Sequence, residues 1–447
     1  MATNKEQRSI PKYKLARAAS LVTTGAKIGG NYAKYYAKKK ITGEASKEEL
    51  HRVNAEESYS AFSTLKGGPL KVAQLLSVDQ NILPPAYQEQ FAQAQYSAPP
   101  LSYPLVSRTF KQELGKVPDK LFDTFTKSAV NAASIGQVHK ATLGDQTYAV
   151  KIQYPGVAQS LKSDLRLVKP IAVRILGISA KDIDYYFREV EERLLEETDY
   201  RLELKRSIDL SKRTSHLKDI RFPKYFSDHS TRRILTMEWI DGMPLDKWAE
   251  SDVSQAERDR IGQAMWDFYH FQIHDLREFH ADPHPGNFLI KDGLLYVLDF
   301  GCVKYLEEDF YQLYFQLLDM NQVLDDSTFV ELLQKVGLIL PKDNAADRLI
   351  LKDLYRESIE LLSRPFQRET FDFGDPQYVK EIYAFSERTQ KDKEIRRINT
   401  ARGSRHAVYL NRTYYGLYNL LAQMRSNIRA EIPELLRNES RDEVLVS

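Results

Sequence analysis

The sequence is short of several features that would classify it at a glance. It has one cysteine, Cys302, in 447 residues, which excludes an internal disulfide framework and fits a reducing compartment. It has no apolar run long enough to cross a bilayer as a helix. Its opening residues, MATNKEQRSIPKYK, carry no apolar stretch, so no secretory signal is expected there. The net charge is only +2, too small for the whole molecule to be a nucleic-acid binder. Internal repeats and low-complexity tracts are absent too. These absences leave a cytoplasmic protein whose membrane contact, if any, is peripheral.

What is present reads as globular. Hydrophobic residues make up 42% and charged residues 28%, and the length exceeds what one core organises, so two or three packed units are expected. Charge is uneven at the start. Between Lys5 and Lys40 the only acid is Glu6, and basic residues alternate with Leu15, Leu21, Val22, Ile28, Tyr32, Tyr35 and Tyr36. That stretch suits an anionic membrane surface or, equally, a solvated helix that packs its apolar stripe inward. Helix is expected from Glu48 to Leu76, broken at Pro84-Pro85. Strand-like pieces follow at Ser128–Ala133, Gly136–Ala141 and Tyr148–Ile152, with turn chemistry at Gly144-Asp145. A long charged helix is expected from Lys181 to about Lys212, then a strand at Arg233–Trp239 ending at Asp241-Gly242. The remainder reads as helical apart from a hairpin-like region, Asn287–Tyr305. Strands first and helices after give an α+β, bilobal architecture with a cleft.

The chemistry concentrates in His280-Ala281-Asp282-Pro283-His284-Pro285-Gly286-Asn287. Asp282 and Asn287 sit in one tight Pro/Gly loop, where they can converge on a small volume. Downstream, the apolar strand Leu294–Leu298 ends in Asp299-Phe300-Gly301. Phosphoryl transfer needs this set: one carboxylate to position or deprotonate the acceptor, and an asparagine with a second aspartate to hold Mg²⁺. A second Asp-Phe-Gly, Asp372-Phe373-Gly374, has no apolar strand or partnered loop before it, and reads as a turn or helix cap.

Lys151, in Ala149-Val150-Lys151-Ile152, is a strand lysine whose charge calls for a phosphate or a carboxylate. Ahead of it, where a glycine-rich phosphate loop would be expected, stand Asn131-Ala132-Ala133-Ser134-Ile135-Gly136-Gln137-Val138. Alanines restrict φ/ψ more than glycines, so this loop should be stiffer. One acid of Glu196-Glu197-Thr198-Asp199-Tyr200-Arg201-Leu202-Glu203 should pair with Lys151. Thr236-Met237-Glu238-Trp239 reads as the hinge, with Glu238 at the adenine.

With these residues on the page, the chain resembles the UbiB/AarF family of atypical, ABC1-type kinase-like proteins. The resemblance runs from about Ser58 onward. It includes Lys71-Val72-Ala73-Gln74, similar to that family's Lys-x-Gly-Gln motif with Ala73 in place of glycine. The resemblance implies a protein-kinase-like fold whose N-terminal helical extension (1–105) covers the cleft between an N-lobe (106–240) and a helical C-lobe (241–447). It implies ATP and Mg²⁺ as cofactors, with Ala132, Ala133, Ser134, Ile135, Gly136, Val138, Lys151 and Glu238 around the nucleotide. By the same resemblance Lys151 pairs with Glu203, Asp282 is the catalytic aspartate, and Asn287 and Asp299 ligate the metal. Glu197 and Asp199 tether Lys71, and Gln74 shares its helix face. The implied activity is an ATPase or a small-molecule- or lipid-directed kinase serving isoprenoid quinone metabolism, with anionic membranes and quinone-precursor lipids as partners. Three alternatives stand beside it, of which an aminoglycoside- or choline-type small-molecule kinase is disfavoured by the Lys71–Gln74 segment and the alanine-rich loop. A protein kinase is disfavoured because His280-Ala281-Asp282 lacks the usual arginine and no Ala-Pro-Glu follows Asp299. A pseudokinase scaffold is disfavoured because Lys151, Asp282, Asn287 and Asp299 are all intact.

Overall fold

The computed structural model describes residues 14–42, 45–65, 68–70, 72, 85–92, 101–132, 135–176, 187–188, 191–192, 194–319, 325–398 and 402–430. The chain forms two compact units. The first takes residues 1–205 and 224–239, and the second takes 206–223 and 240–447.

The first unit joins helices to an antiparallel sheet. Its strands run in the order Thr124–Phe125, Gly136–Leu143, Gln146–Gln153, Ile234–Glu238, with Asn131–Ala132 also pairing onto Gly136–Leu143. Of the expected strand at Ser128–Ala133, Asn131–Ala132 are in strand form among the described residues, and residues 128–130 are not. The central hairpin turns at Gly144, whose φ of +56° is left-handed and costs glycine little. Val150 and Ile152 are fully buried between the sheet and its helices, each contributing roughly 1.5–3 kcal/mol by leaving water.

The N-terminal helix Lys14–Thr42 buries one stripe, Arg17, Leu21, Thr24 and Ile28, spaced three to four residues apart as a helix face requires. It packs on the helices Lys47–Leu65 and Val157–Leu176. The inward-packing reading therefore holds for its first half. Its last two turns expose Lys34, Lys38, Lys39, Lys40, Tyr36 and Ile41.

One expected element is corrected. The segment Lys181 to Lys212 is not a single helix: the chain leaves helical form at Thr198-Asp199, and a new helix runs Tyr200–Arg213. The Tyr200 N–H donates to Arg232 O at 3.0 Å, a long-range bond that the residue's helical position would have used locally. Asp199 Oδ1 accepts from Arg201 N at 3.1 Å, so the aspartate starts the new helix.

The second unit is built around the helix Gln255–His274, capped by Ser254, which accepts from Glu257 N, as in a capping box. A four-stranded sheet takes the order Ile220–Arg221, Leu294–Val297, Phe288–Lys291, Met243–Pro244. Its inner hairpin turns on Asp292-Gly293, both at positive φ, as a two-residue primed turn demands. A second pair, Glu278–His280 with Val303–Tyr305, brackets the Asp-bearing loop. Behind them a large apolar core includes Phe279, Ala281, Phe288, Val297 and Phe300.

Candidate active site

The site residues fall into two sets, one in each unit.

In the first unit Lys151 lies in the middle strand, opposite Val138 on one side and Leu235 on the other. Strand alternation turns its side chain to the face where the helix Tyr200–Arg213 begins. There Lys151 Nζ donates to Glu203 Oε1 at 2.7 Å, with side chains 11% and 4% exposed. The Tyr200 ring lies 5.2 Å from the ammonium, within cation–π range. Of the acids between Glu196 and Glu203, it is Glu203 that meets the lysine. A charge pair this buried survives only because each partner is supplied with the other.

The alanine-rich stretch enters this set through its downstream end. Asn131–Ala132 pairs with Gln137-Val138; Ala133 and Ser134 lie outside the described residues. Ile135 is buried and its carbonyl accepts from Tyr154 N at 2.8 Å. Gly136 is sterically required: a Cβ there would stand 2.6 Å from both Ile152 O and Tyr200 Oη. Val138 is half-buried, next to Lys151 in register.

Glu238 ends the strand Ile234–Glu238. Its N–H donates to Lys224 O at 2.7 Å, and Trp239 N donates to Thr147 O at 3.0 Å. The backbone donors of Glu238 and Trp239 are therefore already used within the unit. Lys71 and Gln74 lie outside the described residues. Of their expected partners, Glu197 ends the short helical piece before the break, and Asp199 faces Arg232 at 3.7 Å.

The second unit holds the acidic set. Asp282 is half-buried directly after the strand Glu278–His280, and Ala281 N donates to Cys302 O at 2.8 Å. Asn287 donates through Nδ2 to the Asp282 carbonyl at 2.9 Å. Since a carbonyl can only accept, the amide nitrogen is the atom engaged, and Oδ1 remains the acceptor atom. Leu298 N in turn donates to Asn287 O at 3.0 Å, which stitches the loop to the end of the strand Leu294–Val297. Asp299 follows at once, accepting from Gly301 N through Oδ1 at 2.6 Å. Phe300 is fully buried against His280, ring centroids 5.8 Å apart. These bonds fix the backbone at Asp282, Asn287 and Asp299 together.

Asp372-Phe373-Gly374 makes the same local turn, with Gly374 N donating to Asp372 Oδ1 at 2.8 Å and Phe373 buried. It follows a short strand, Thr370–Asp372, and leads into Asp375, which caps the helix Pro376–Lys391. This is the turn-and-cap role the sequence suggests.

A residue that sequence reasoning missed also reaches the acidic set. Arg412, on the helix Arg405–Met424, donates from Nη2 to Asp282 Oδ1 at 3.2 Å. No motif surrounds it, and nothing short of the packed fold brings it there.

Comparison with known proteins now decides the family. Residues 93–332 match the ABC1 atypical kinase-like domain. The chain belongs to the ABC1 family of atypical kinase-like proteins, the UbiB/AarF group. The ABC1 match spans Lys151, Glu203, Asp282, Asn287 and Asp299 and stops short of Arg412. Among curated relatives, the probable serine/threonine-protein kinase abkA of Dictyostelium discoideum is 28% identical over 85% of this chain and 69% of its own length. The atypical kinase COQ8B, mitochondrial, of Danio rerio is 27% identical over 84% of this chain and 62% of its own length. A solved Mycobacterium tuberculosis structure, Rv3197 in complex with erythromycin, aligns with a TM-score of 0.58 at 26% identity, covering 90% of this chain and 98% of that one. The fold of this ABC1-family chain is accordingly a mixed α/β, kinase-like one.

The site can be tested against the cofactors that such a fold implies. A phosphate-bound Mg²⁺ takes oxygen ligands, usually one or two carboxylates with waters and phosphates completing the shell. Asn287 Oδ1 and the Asp299 carboxylate are such donors, and the described residues hold no cluster of three or more His, Cys, Asp or Glu that would form a self-contained cage. Lys151, oriented by Glu203, is the cation type that meets α/β-phosphates. Each set by itself thus has the residue types such a cofactor calls for: a paired lysine in the first unit and two oxygen donors in the second.

Proposed function

We propose that this ABC1-family protein is a Mg-dependent ATPase or a phosphotransferase acting on a small molecule or lipid. The observation that supports the reading is the bonding of Asn287 to the Asp282 carbonyl and of Leu298 N to Asn287 O, which ties the loop that carries Asp282 to the strand end that leads into Asp299. Asn287 and Asp299 would hold Mg²⁺, and Lys151, kept in place by Glu203, would meet the nucleotide phosphates. Bound Mg-ATP would supply the phosphoryl group and the metal charge that offsets its oxygens. Asp282 would accept a hydrogen bond from the acceptor hydroxyl or water and take its proton. Lys71, Gln74, Glu197 and Asp199 are assigned the regulatory role that the family resemblance implies.

A membrane-bound acceptor is supported by the exposed end of the N-terminal helix. Four lysines, Tyr36 and Ile41 are presented there together, a composition that favours anionic lipid surfaces. No helix among the described residues is long and apolar enough to span a membrane. Quinone-precursor lipids are the acceptor or activator class we assign.

The test is Mg-ATP turnover by the purified chain, with and without anionic vesicles carrying phenolic quinone-precursor analogues. Turnover that rises with vesicles and is lost in Asp282→Asn and Asp299→Asn is the expected result. Nucleotide binding without turnover under any of these conditions would instead favour a scaffold that binds ATP.

A further inference from the structure

The loop His280–Asn287 contains no lysine or arginine. The position where a protein kinase carries its arginine is Ala281, which is fully buried with its N–H bonded to Cys302 O. Phosphoryl transfer nonetheless spreads negative charge over the oxygens of the moving group and gains most from fixed positive charge beside it. In this unit the guanidinium that reaches Asp282 comes from 130 residues downstream: Arg412 Nη2 meets Asp282 Oδ1 at 3.2 Å.

The contact is built rather than incidental. One turn beyond Arg412, Gly416 packs so closely on the loop that a Cβ would lie 2.3 Å from Pro283 Cγ and 3.1 Å from Pro283 O. The same helix is pinned by Tyr314 Oη donating to Asn411 Oδ1 at 2.5 Å and by His406 Nδ1 at 3.0 Å from Tyr305 O. Its backbone therefore has a fixed place against the loop. The pair itself is partly open to solvent, with side chains 21% and 29% exposed, and pairs of that kind add little to stability. Stability gives no reason to place an arginine there. An arginine is a planar cation that stays charged at any working pH, so the contact places a fixed positive charge at Asp282.

We propose that Arg412 is the positioning cation of the catalytic loop, holding Asp282 by Oδ1 and lending positive charge to the transferred phosphoryl group. In that transfer the acceptor oxygen bonds to phosphorus as the bond to the ADP oxygen breaks, and the acceptor's proton leaves through Asp282. This rests on the reading of Asp282 given under Proposed function, and it extends the working site beyond the stretch that matches the ABC1 domain.

The experiment compares full-length wild type, Arg412→Ala, Arg412→Lys and Asp282→Asn. In Arg412→Ala, kcat should fall on the order of 100-fold, the scale of losing one fixed charge stabiliser, with KM for Mg-ATP and the melting temperature near wild type. Arg412→Lys should keep part of the rate. Millimolar guanidinium should restore part of it to Arg412→Ala and none to Asp282→Asn. A kcat at or above wild type in Arg412→Ala, or a loss that tracks melting temperature without rescue, overturns the proposal.

A binding measurement separates this from failure of the functional reading. Aluminium fluoride should tighten Mg-ADP binding to wild type much more than to Arg412→Ala. That difference supports the role of Arg412 even if no acceptor is found and no turnover is seen. An equal gain in both proteins refutes it. Full turnover in Asp282→Asn, by contrast, removes the role given to Asp282.

Discussion

Arg17 and Asp164, 147 residues apart, form a two-pronged ion pair whose side chains are 3% and 1% exposed. Arg17 also donates to Leu65 O at 2.8 Å, and Ser160 Oγ donates to Asp164 Oδ2 at 2.8 Å. Three helices of the first unit are thereby joined at one point, and every charge there has a partner.

The first prediction follows from that point. Removing one partner leaves the other charge buried without compensation, so Arg17→Ala or Asp164→Ala should cost about 3–5 kcal/mol. Arg17→Met with Asp164→Leu should cost much less than the two truncations summed, because the buried charges leave together. Denaturant titrations of the single and double variants check this; additive losses would contradict the coupling.

The second concerns the two Asp-Phe-Gly turns. Asn can still accept from the glycine N–H, so Asp299→Asn and Asp372→Asn should both keep the turn and the fold. Under the proposed function, only Asp299→Asn removes a charge that would face the metal. Calorimetry should show Mg-ATP affinity down at least about tenfold in Asp299→Asn, the loss of a major ligand charge, and unchanged in Asp372→Asn. Equal behaviour of the two would refute the metal assignment of Asp299.

The third is a pH dependence in the second unit. His270 and His274 share a hydrogen bond at 3.1 Å, and His274 Nδ1 lies 2.8 Å from Tyr311 Oη. Burial, then the neighbouring Arg277 cation, pushes His274 down to about 3. Burial, then the neighbouring His274, holds His270 well below the usual histidine value. An unfolded histidine binds its proton near pH 6.5. Below that pH the unfolded state takes up protons that the folded state refuses, so stability is full above about 6.5 and falls as pH drops toward 3. The slope should reach about 1.4 kcal/mol per pH unit per histidine. Urea midpoints between pH 7 and 5 test this, and the slope should shrink in His274→Gln. An unchanged slope there would show that other groups set it.

How much was readable in the sequence depended on the range of the interaction. The strand around Lys151, the turn at Gly144-Asp145 and the loop from Asp282 to Asn287 are encoded by residues within a few positions of one another. So is the Asx turn of each Asp-Phe-Gly, which is why Asp299 and Asp372 adopt the same local form and only their surroundings tell them apart. The break at Thr198-Asp199 was not legible, because no proline or glycine marks it. It arises when Tyr200 gives its N–H to Arg232 rather than to its own helix.

The sequence by itself determined most of the elements, the spacing of the acidic set and the kind of chemistry those residue types permit, since local backbone preference and donor identity do not wait on packing. Residue type and spacing left several nearby acids open as the partner of Lys151; the family resemblance named Glu203, and the packing of its helix on the strand brings the two together. Tertiary structure alone buried Arg17 against Asp164 and carried Arg412 to Asp282. Each is a charge pairing made by packing elements far apart in the chain, and burial then selects partners that no short-range pattern records.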